Sequence, residues 1–413
     1  MKAIILTIGN EVLSGQVVDT NAAWIAQQLL EIGLAVREKW SVADDISEII
    51  SALANATDKG EIIITTGGLG PTADDLTTEA LAEFMKVSRS FHEDTFDRLS
   101  KMFASIGRVP GPQHKIQCML PEGVTILPNN AGTAPGMYFN FEGRHLISMP
   151  GVPMEMKAIF DPFVIELLKS VRTGPRRRSH TFNTIGEGET VLEDLLKLIT
   201  ANVPSNINFA FLPDIYKVRV RVDVDSDSNE DILLWEEIIG QVRSILAPCL
   251  AGENEVTLEV AVGNLLKQKN WMAGTAESCT GGYLAHMITS IPGSSDYFKG
   301  GMVAYSNSIK SEYLQVSQDI LNQHGAVSEE TVKAMAIGAI KQLKVDVAVS
   351  VSGIAGPSGG TPEKPVGLVW IGLANNKGKV MAQKIKLRRD RLNNIRAASI
   401  MALILMHRFL LDE

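Results

Sequence analysis

The stretch Glu61–Gly70, EIIITTGGLG, constrains this chain most: an unbroken apolar and β-branched run ends directly in glycines. A run of that kind without polar alternation reads as a strand covered on both faces, which is the strand of a parallel sheet between helices. Gly67, Gly68 and Gly70 stand where such a strand turns towards a helix. Without side chains there, backbone N–H groups can approach an anion, and phosphate is the natural guest. The chain opens in the same way. Residues 2–8 read as a continuous apolar strand, Gly9 and Gly15 as a loop, and about 21–32 as a helix burying Ile25, Leu29 and Ile32. Asp19 or Thr20 can cap that helix, and Gly33 can close it in a left-handed conformation. Strand, glycine loop and helix in repetition predict an α/β fold with ligand loops at the carboxyl edge of the sheet.

After a helix ending near Val171, the basic run Arg176-Arg177-Arg178 marks a change of character. A helix over about 187–199, the segment INFAF, the alternating strand YKVRVRVDV and a helix over about 229–246 then form a small α+β module. Val218, Val220, Val222 and Val224 share one face of that strand, and Lys217, Arg219 and Arg221 the other. The polar AGENEVT reads as a linker. Beyond it helices and strands alternate again: a helix over about 257–269, WMAGTA, a helix from Gly281, GMVAYS, a helix over about 328–343, DVAVSVSG, VGLVWIGLA and a final helix from Asp390. The expected organisation is two α/β domains, residues 1–172 and 256–413, flanking an α+β domain at 176–250. A length of 413 residues accommodates three cores.

Composition narrows the function. The net charge of −8 supplies no general field for a phosphate backbone, so nucleic acid is not an expected partner. Cys118, Cys249 and Cys279 are far apart and form no disulfide framework or zinc pattern, which suits a reducing compartment. The N-terminus reads as a strand, not a signal peptide, and the longest apolar run, Ala397 to Met406, is too short to span a bilayer. A cytoplasmic protein with no membrane partner is expected.

Two constellations carry chemistry. In the first, TTGGLGPTADD brings Thr72 and the carboxylates Asp74 and Asp75 next to the glycines. A carboxylate there can cap a helix, hold a hard cation or accept a ligand hydroxyl. The loop alone is equally a plain turn. GNEVLSG with Glu11, DTN with Asp19 and Asn21, and NNAGTAPG at 129–136 add polar, glycine-rich segments at strand ends, and together they suggest an acid-lined pocket for a phosphorylated ligand and metal.

The second constellation is AESCTGG, with two adjacent nucleophiles, Ser278 and Cys279, at a strand end, and Thr280, Gly281 and Gly282 opening the next helix. Backbone donors at that helix start favour an oxyanion or a phosphate. The histidines form no evident triad with either nucleophile. AYSNSIK instead offers Tyr305 and Lys310 after another strand, and a desolvated lysine can activate a serine while Tyr305 relays the proton. SGIAGPSGG, residues 352–360, is a further glycine loop after a buried strand, and Arg396 a charge on the last helix.

GNEVLSGQVVDTN, TTGGLGPTADD, NNAGTAPG and PGVPMEM in front, and AESCTGG, AYSNSIK, HGAVSEE and SGIAGPSGG behind, resemble the CinA family of competence/damage-inducible proteins along essentially the whole chain. The resemblance implies a front domain of molybdopterin-binding type, described in the family as a metal-dependent ADP-ribose pyrophosphatase. It implies a KH-type middle domain and a rear nicotinamide mononucleotide deamidase domain. It places catalysis on Ser278, Tyr305 and Lys310, with Cys279 a neighbour and no metal required. Thr280, Gly281, Gly282, Gly353, Ala355, Gly356 and Arg396 would bind the substrate. In front, Glu11, Asp19, Asn21, Gly67, Gly68, Gly70 and Thr72 would line the ligand site, with Asp74 and Asp75 on a divalent metal ion. A homodimer is expected. The alternative is an accessory protein of competence or DNA-damage response whose front domain only binds a pterin or nucleotide.

Overall fold

The computed structural model describes residues 1–413. By compactness the chain divides into two units, Met1–Arg178 with Asp225–Ser228, and Ser179–Val224 with Asn229–Glu413, so most of the middle module groups with the rear one.

In the front module, β1 (Lys2–Ile8), β2 (Ala35–Val42), β3 (Ile62–Thr66), β4 (Arg89–Phe91), β5 (Met119–Pro121), β6 (Thr125–Leu127), β7 (Gly136–Phe141) and β8 (Arg144–Met149) form a six-stranded sheet in the order β2-β1-β3-β8-β7-β6 and a separate β4-β5 ribbon. β1 pairs in parallel with β2 and β3, and β3 with β8, while β7 and β6 run antiparallel at one edge. The apolar strands are buried on both faces, as their composition dictates. Ala3 and Ile5 pack with the helix Thr20–Glu31 and with Met156 and Ile159 of the helix Pro153–Ile159. Ile4, Leu6 and Ile8 pack with Ile49 and Leu53 of the helix Ile46–Lys59 and with Ala80 and Leu81 of Thr77–Met85. Asp19 caps the first helix, its Oδ1 accepting from the Ala22 N–H at 2.9 Å, and Gly33 follows it at φ +76°.

The middle module is a four-stranded sheet, β9 (Arg177–Ile185), β10 (Ile207–Asp214), β11 (Lys217–Asp225) and β12 (Leu250–Glu253), in the order β10-β11-β9-β12. β10 and β11 form an antiparallel hairpin. Val218, Val220, Val222 and Val224 are buried against the helices Glu189–Thr200 and Asn229–Leu246, whereas Arg219 is exposed. The start of AGENEVT belongs to β12, an edge strand paired with β9, so the segment is only in part a linker.

The rear module is a five-stranded sheet, β13 (Ala273–Glu277), β14 (Phe298–Val303), β15 (Val347–Gly353), β16 (Leu368–Asn375) and β17 (Val380–Lys386), in the order β14-β13-β15-β16-β17. β13 is central and parallel to both neighbours, and β16 and β17 return antiparallel. One face carries the helices Leu258–Lys269, Tyr283–Thr289 and Arg391–Asp412, the other Glu329–Leu343. This is a three-layer α/β sandwich. The last helix has 22 residues and is long and apolar enough to cross a bilayer, longer than its apolar run suggested; in this fold 72% of its apolar window is buried inside the protein.

Candidate functional site

In the rear module the carboxyl ends of β13 and β15 and the loops that follow them enclose a cavity of about 290 Å³. Parallel strands open towards ligands at this edge. Ser278 follows β13 directly, and its N–H is tied to the Val351 carbonyl of β15 at 2.9 Å. Lys310 reaches it from the helix Asn307–Glu312, which Ser306 caps by accepting from the Ile309 N–H. The Nζ lies 3.1 Å from Ser278 Oγ, 2.8 Å from the Ala304 carbonyl and 3.3 Å from the Tyr305 carbonyl. Lys310 is only 1% exposed, and no acidic side chain pairs with its amine among the ion pairs of the chain. Burial therefore lowers its pKa below the usual lysine value, favouring the free amine that can accept a serine proton.

Cys279 also lines the cavity but is a different kind of group. Burial pushes its thiol up to about 12, against a smaller opposing pull from Lys310, so the thiolate is scarce. Tyr305 lines the cavity with its side chain largely exposed, and its hydroxyl accepts from the Arg391 guanidinium at 3.1 Å. No hydrogen bond joins that hydroxyl to Ser278 or Lys310; the link from Tyr305 to Lys310 is through its backbone carbonyl. The Tyr305 relay expected from the sequence is not connected here.

The substrate-binding expectations divide. Gly353, Ala355 and Gly356 line the cavity together with Ser358, Gly359 and Asn307. The N–H groups of Ala355, Gly356, Ser358 and Gly359 donate to no carbonyl of the chain, leaving a row of donors. Asn394, buried on the last helix, holds the loop by donating to the Ala355 carbonyl at 3.0 Å. Thr280, Gly281 and Gly282 are absent from the lining. The glycine donors expected there for a ligand are used by the protein itself: Glu277 Oε2 accepts from the N–H groups of Gly282 and Leu284, and Oε1 from Ala285, while the Gly281 N–H bonds the Ser278 carbonyl at 3.2 Å. Gly281 and Gly282 serve the turn, at φ +62° and +99°, where a side chain would be strained. Arg396 is also elsewhere, bound to Asp214 at 2.8 Å. The arginine at the cavity is Arg391, whose guanidinium donates to the Gly356 carbonyl at 2.7 Å. The sequence signal for it was the cluster Arg388-Arg389-Asp390-Arg391 at a helix start, where Asp390 caps by accepting from the Asn393 N–H.

In the front module a cavity of about 500 Å³ is lined by Glu11, Gly67, Gly68, Gly70, Asp74 and Asp75. Asp44 and Glu155 also line it and were not picked out from the sequence. Asp19 and Asn21 border a smaller neighbouring space of about 80 Å³ that also touches Glu11. Asp19 is consumed by its cap and by the Thr7 hydroxyl, and Asn21 donates to Thr66 and to the Gly151 carbonyl. Thr72 does not line the larger cavity; its hydroxyl and N–H both donate to Asp75. Asp74 and Asp75 do not cap the next helix, which begins at Thr77. Gly67 is not a free donor either, since its N–H bonds the Met149 carbonyl at 3.0 Å, and a Cβ on it would meet the Ile8 carbonyl oxygen. The Asp44 carboxyl is pushed up, first by burial and then by the charges of Glu11, Asp74 and Asp75, against the bond it accepts from Asn10. No three His, Cys, Asp or Glu side chains come together as a metal-ligating group.

The architecture is thus that of a chain with an acid-lined cavity of about 500 Å³ in one α/β module and a buried serine–lysine pair in another. Comparison with known proteins places the chain in a family. Residues 4–170 match the probable molybdopterin binding domain, and residues 255–410 the CinA C-terminal domain. A CinA-like protein of Cytophaga hutchinsonii is 42% identical over 98% of this chain and 97% of its own. A putative competence-damage inducible protein of Halothermothrix orenii is 38% identical over 99% of both chains. Among solved structures, the competence/damage inducible protein CihA from Agrobacterium tumefaciens is 37% identical, covering 37% of this chain and 93% of its own, with a TM-score of 0.36. The chain belongs to the CinA family.

Proposed function

We propose that the rear module is an amidohydrolase that converts nicotinamide mononucleotide and water to nicotinate mononucleotide and ammonia. The observation that carries this reading is the buried Lys310 amine 3.1 Å from Ser278 Oγ at the floor of a cavity. A serine needs a base, and an amine whose pKa burial lowers is suited to be one. Ser278 Oγ attacks the carboxamide carbon while its proton passes to Lys310 Nζ. The tetrahedral intermediate collapses as that proton moves to the leaving nitrogen, which departs as ammonia. Water then gives a proton to Lys310, attacks the ester and releases the carboxylate, and the proton returns to Ser278. The Cys279 N–H, which donates to no backbone carbonyl, follows the nucleophile as an oxyanion donor does. Arg391 and the N–H groups of Ala355, Gly356, Ser358 and Gly359 suit the substrate phosphate. The test is ammonia release from nicotinamide mononucleotide and from nicotinamide riboside. The mononucleotide should turn over, with the riboside at least about 100-fold poorer in kcat/KM for want of the phosphate. No release from the mononucleotide would sink the proposal.

For the front module, family resemblance supports a metal-dependent ADP-ribose pyrophosphatase, and the acid-lined cavity is compatible with it. Two carboxylates, Asp74 and Asp75, would hold a divalent cation that takes its other ligands from water and a ligand phosphate, as Mg²⁺ does. Such a cation would offset diphosphate charge. The relatives' names favour a second reading, an accessory role in competence or damage response with a front pocket that only binds. Absence of ADP-ribose hydrolysis with any divalent metal, alongside measurable nucleotide or pterin binding, would favour it. A cytoplasmic homodimer completes the proposal.

A further inference from the structure

The proposed chemistry leaves one buried acid unused. Glu277 ends β13 immediately before the nucleophile and is 1% exposed, yet no cation pairs with it. A buried acid of that kind is costly unless hydrogen bonds satisfy it. Both oxygens accept: Oε2 from the N–H groups of Gly282 at 3.0 Å and Leu284 at 3.1 Å, Oε1 from Ala285 at 2.8 Å and from the Thr275 hydroxyl at 3.3 Å. The side chain therefore spans the Ser278–Gly282 turn from its strand end to its helix end. The backbone of the same residue reaches the other half of the pair. Its carbonyl accepts from the Ala304 N–H at 2.7 Å, and the Ala304 carbonyl accepts from Lys310 Nζ at 2.8 Å.

We infer that Glu277 is a positioning residue for the nucleophile: by closing the Ser278–Gly282 turn on one side and anchoring the Ala304 segment on the other, it sets Ser278 Oγ against Lys310 Nζ. It touches neither substrate nor the reacting atoms, and no cavity-lining atom is its own. The inference deepens the serine–lysine reading and rests on it. A glutamine at this position keeps the length but turns one acceptor into a donor facing N–H groups, so the turn must shift. A displacement of about an ångström in a reacting atom costs on the order of 100-fold.

The experiment compares the full-length wild type with Glu277→Gln in two assays, each normalised to folded protein. One is kcat and KM for ammonia release from nicotinamide mononucleotide. The other is the rate at which a small alkyl fluorophosphonate phosphonylates Ser278 with loss of fluoride, read by peptide mass. The expected result is a kcat lower by about 10- to 100-fold, KM within about threefold, and labelling slowed by a similar factor. A purely structural residue would lower the folded fraction and leave both rates per folded molecule at wild type, and that result overturns the inference. So does a raised KM at unchanged kcat. If the wild type labels at Ser278 but releases no ammonia, the substrate reading fails, and slowed labelling in the variant still upholds the positioning role. Should Glu277→Gln not fold, Glu277→Asp, which keeps the charge and loses the reach, is read by the same criteria.

Discussion

At the scale of single residues, the rear site turns on what burial does to two neighbours. The same dry surroundings lower the pKa of Lys310 and raise that of Cys279, so at a given pH more of the amine is free to accept a proton and less of the thiol is present as thiolate. The sign for stability follows. In the folded chain the ammonium is disfavoured, so between the lowered folded value and the usual 10.5 the unfolded chain binds more protons, and stability from this group rises with pH. Denaturant titrations of wild type and Lys310→Met should therefore show their difference moving in favour of the wild type as pH climbs through that window. Deamidation by the wild type should rise with pH and level off below the ordinary lysine range. A profile still climbing steeply above 10.5 would mean that Lys310 is not the base.

At the scale of elements, the last helix shows why side chains close in sequence are not equivalent. Arg391 in its first turn donates to Gly356 and Tyr305 at the cavity, whereas Arg396 pairs with Asp214 at a site where both side chains are over two-fifths exposed. Arg396→Ala should cost under about 1 kcal/mol in denaturant titrations and leave KM unchanged. Arg391→Ala should raise KM by about tenfold or more, as loss of a charge-assisted contact to phosphate does. Equal effects in the two variants would refute the assignment. Helical registers could be read from the sequence, but which arginine meets the loop depends on how the helix packs on β15 and β16, which no local pattern encodes. Strands were legible for the opposite reason: β1, β3 and β15 are buried on both faces and spell this out in runs of apolar, β-branched and small residues. The glycines of CTGG misled for a physical reason too. A glycine-rich helix start offers N–H donors, and whether a ligand or the protein's own Glu277 takes them is decided by a side chain folding back over the turn. Asp44 escaped notice because it reaches the front cavity from a segment without glycines to flag it, and Glu155, although it lies in PGVPMEM, because it sits in the first turn of a helix where an acid also suits the helix start.

At the scale of the whole molecule, the two candidate sites use different chemistry, one a buried amine and a hydroxyl, the other carboxylates and backbone donors. Each should therefore answer to its own perturbation. A chelator, or Asp74→Ala, should abolish ADP-ribose hydrolysis and change deamidation by less than about twofold. Loss of deamidation on chelation would show that the rear reaction needs an ion which the serine–lysine scheme leaves out. The order of the modules, front α/β, small α+β, rear α/β, was legible from the alternation of elements and the basic run at Arg176. The edge strand β12 was not, since AGENEVT is polar and becomes a strand only through its pairing with β9.

The most direct test of the central claim, that Ser278 and not Cys279 attacks the carboxamide, is the initial rate of ammonia release from nicotinamide mononucleotide by Ser278→Ala and Cys279→Ala under identical conditions. Ser278→Ala should lose at least about 1,000-fold in kcat, and Cys279→Ala should stay within about threefold of the wild type. Substantial turnover by Ser278→Ala, with activity lost in Cys279→Ala, would contradict it.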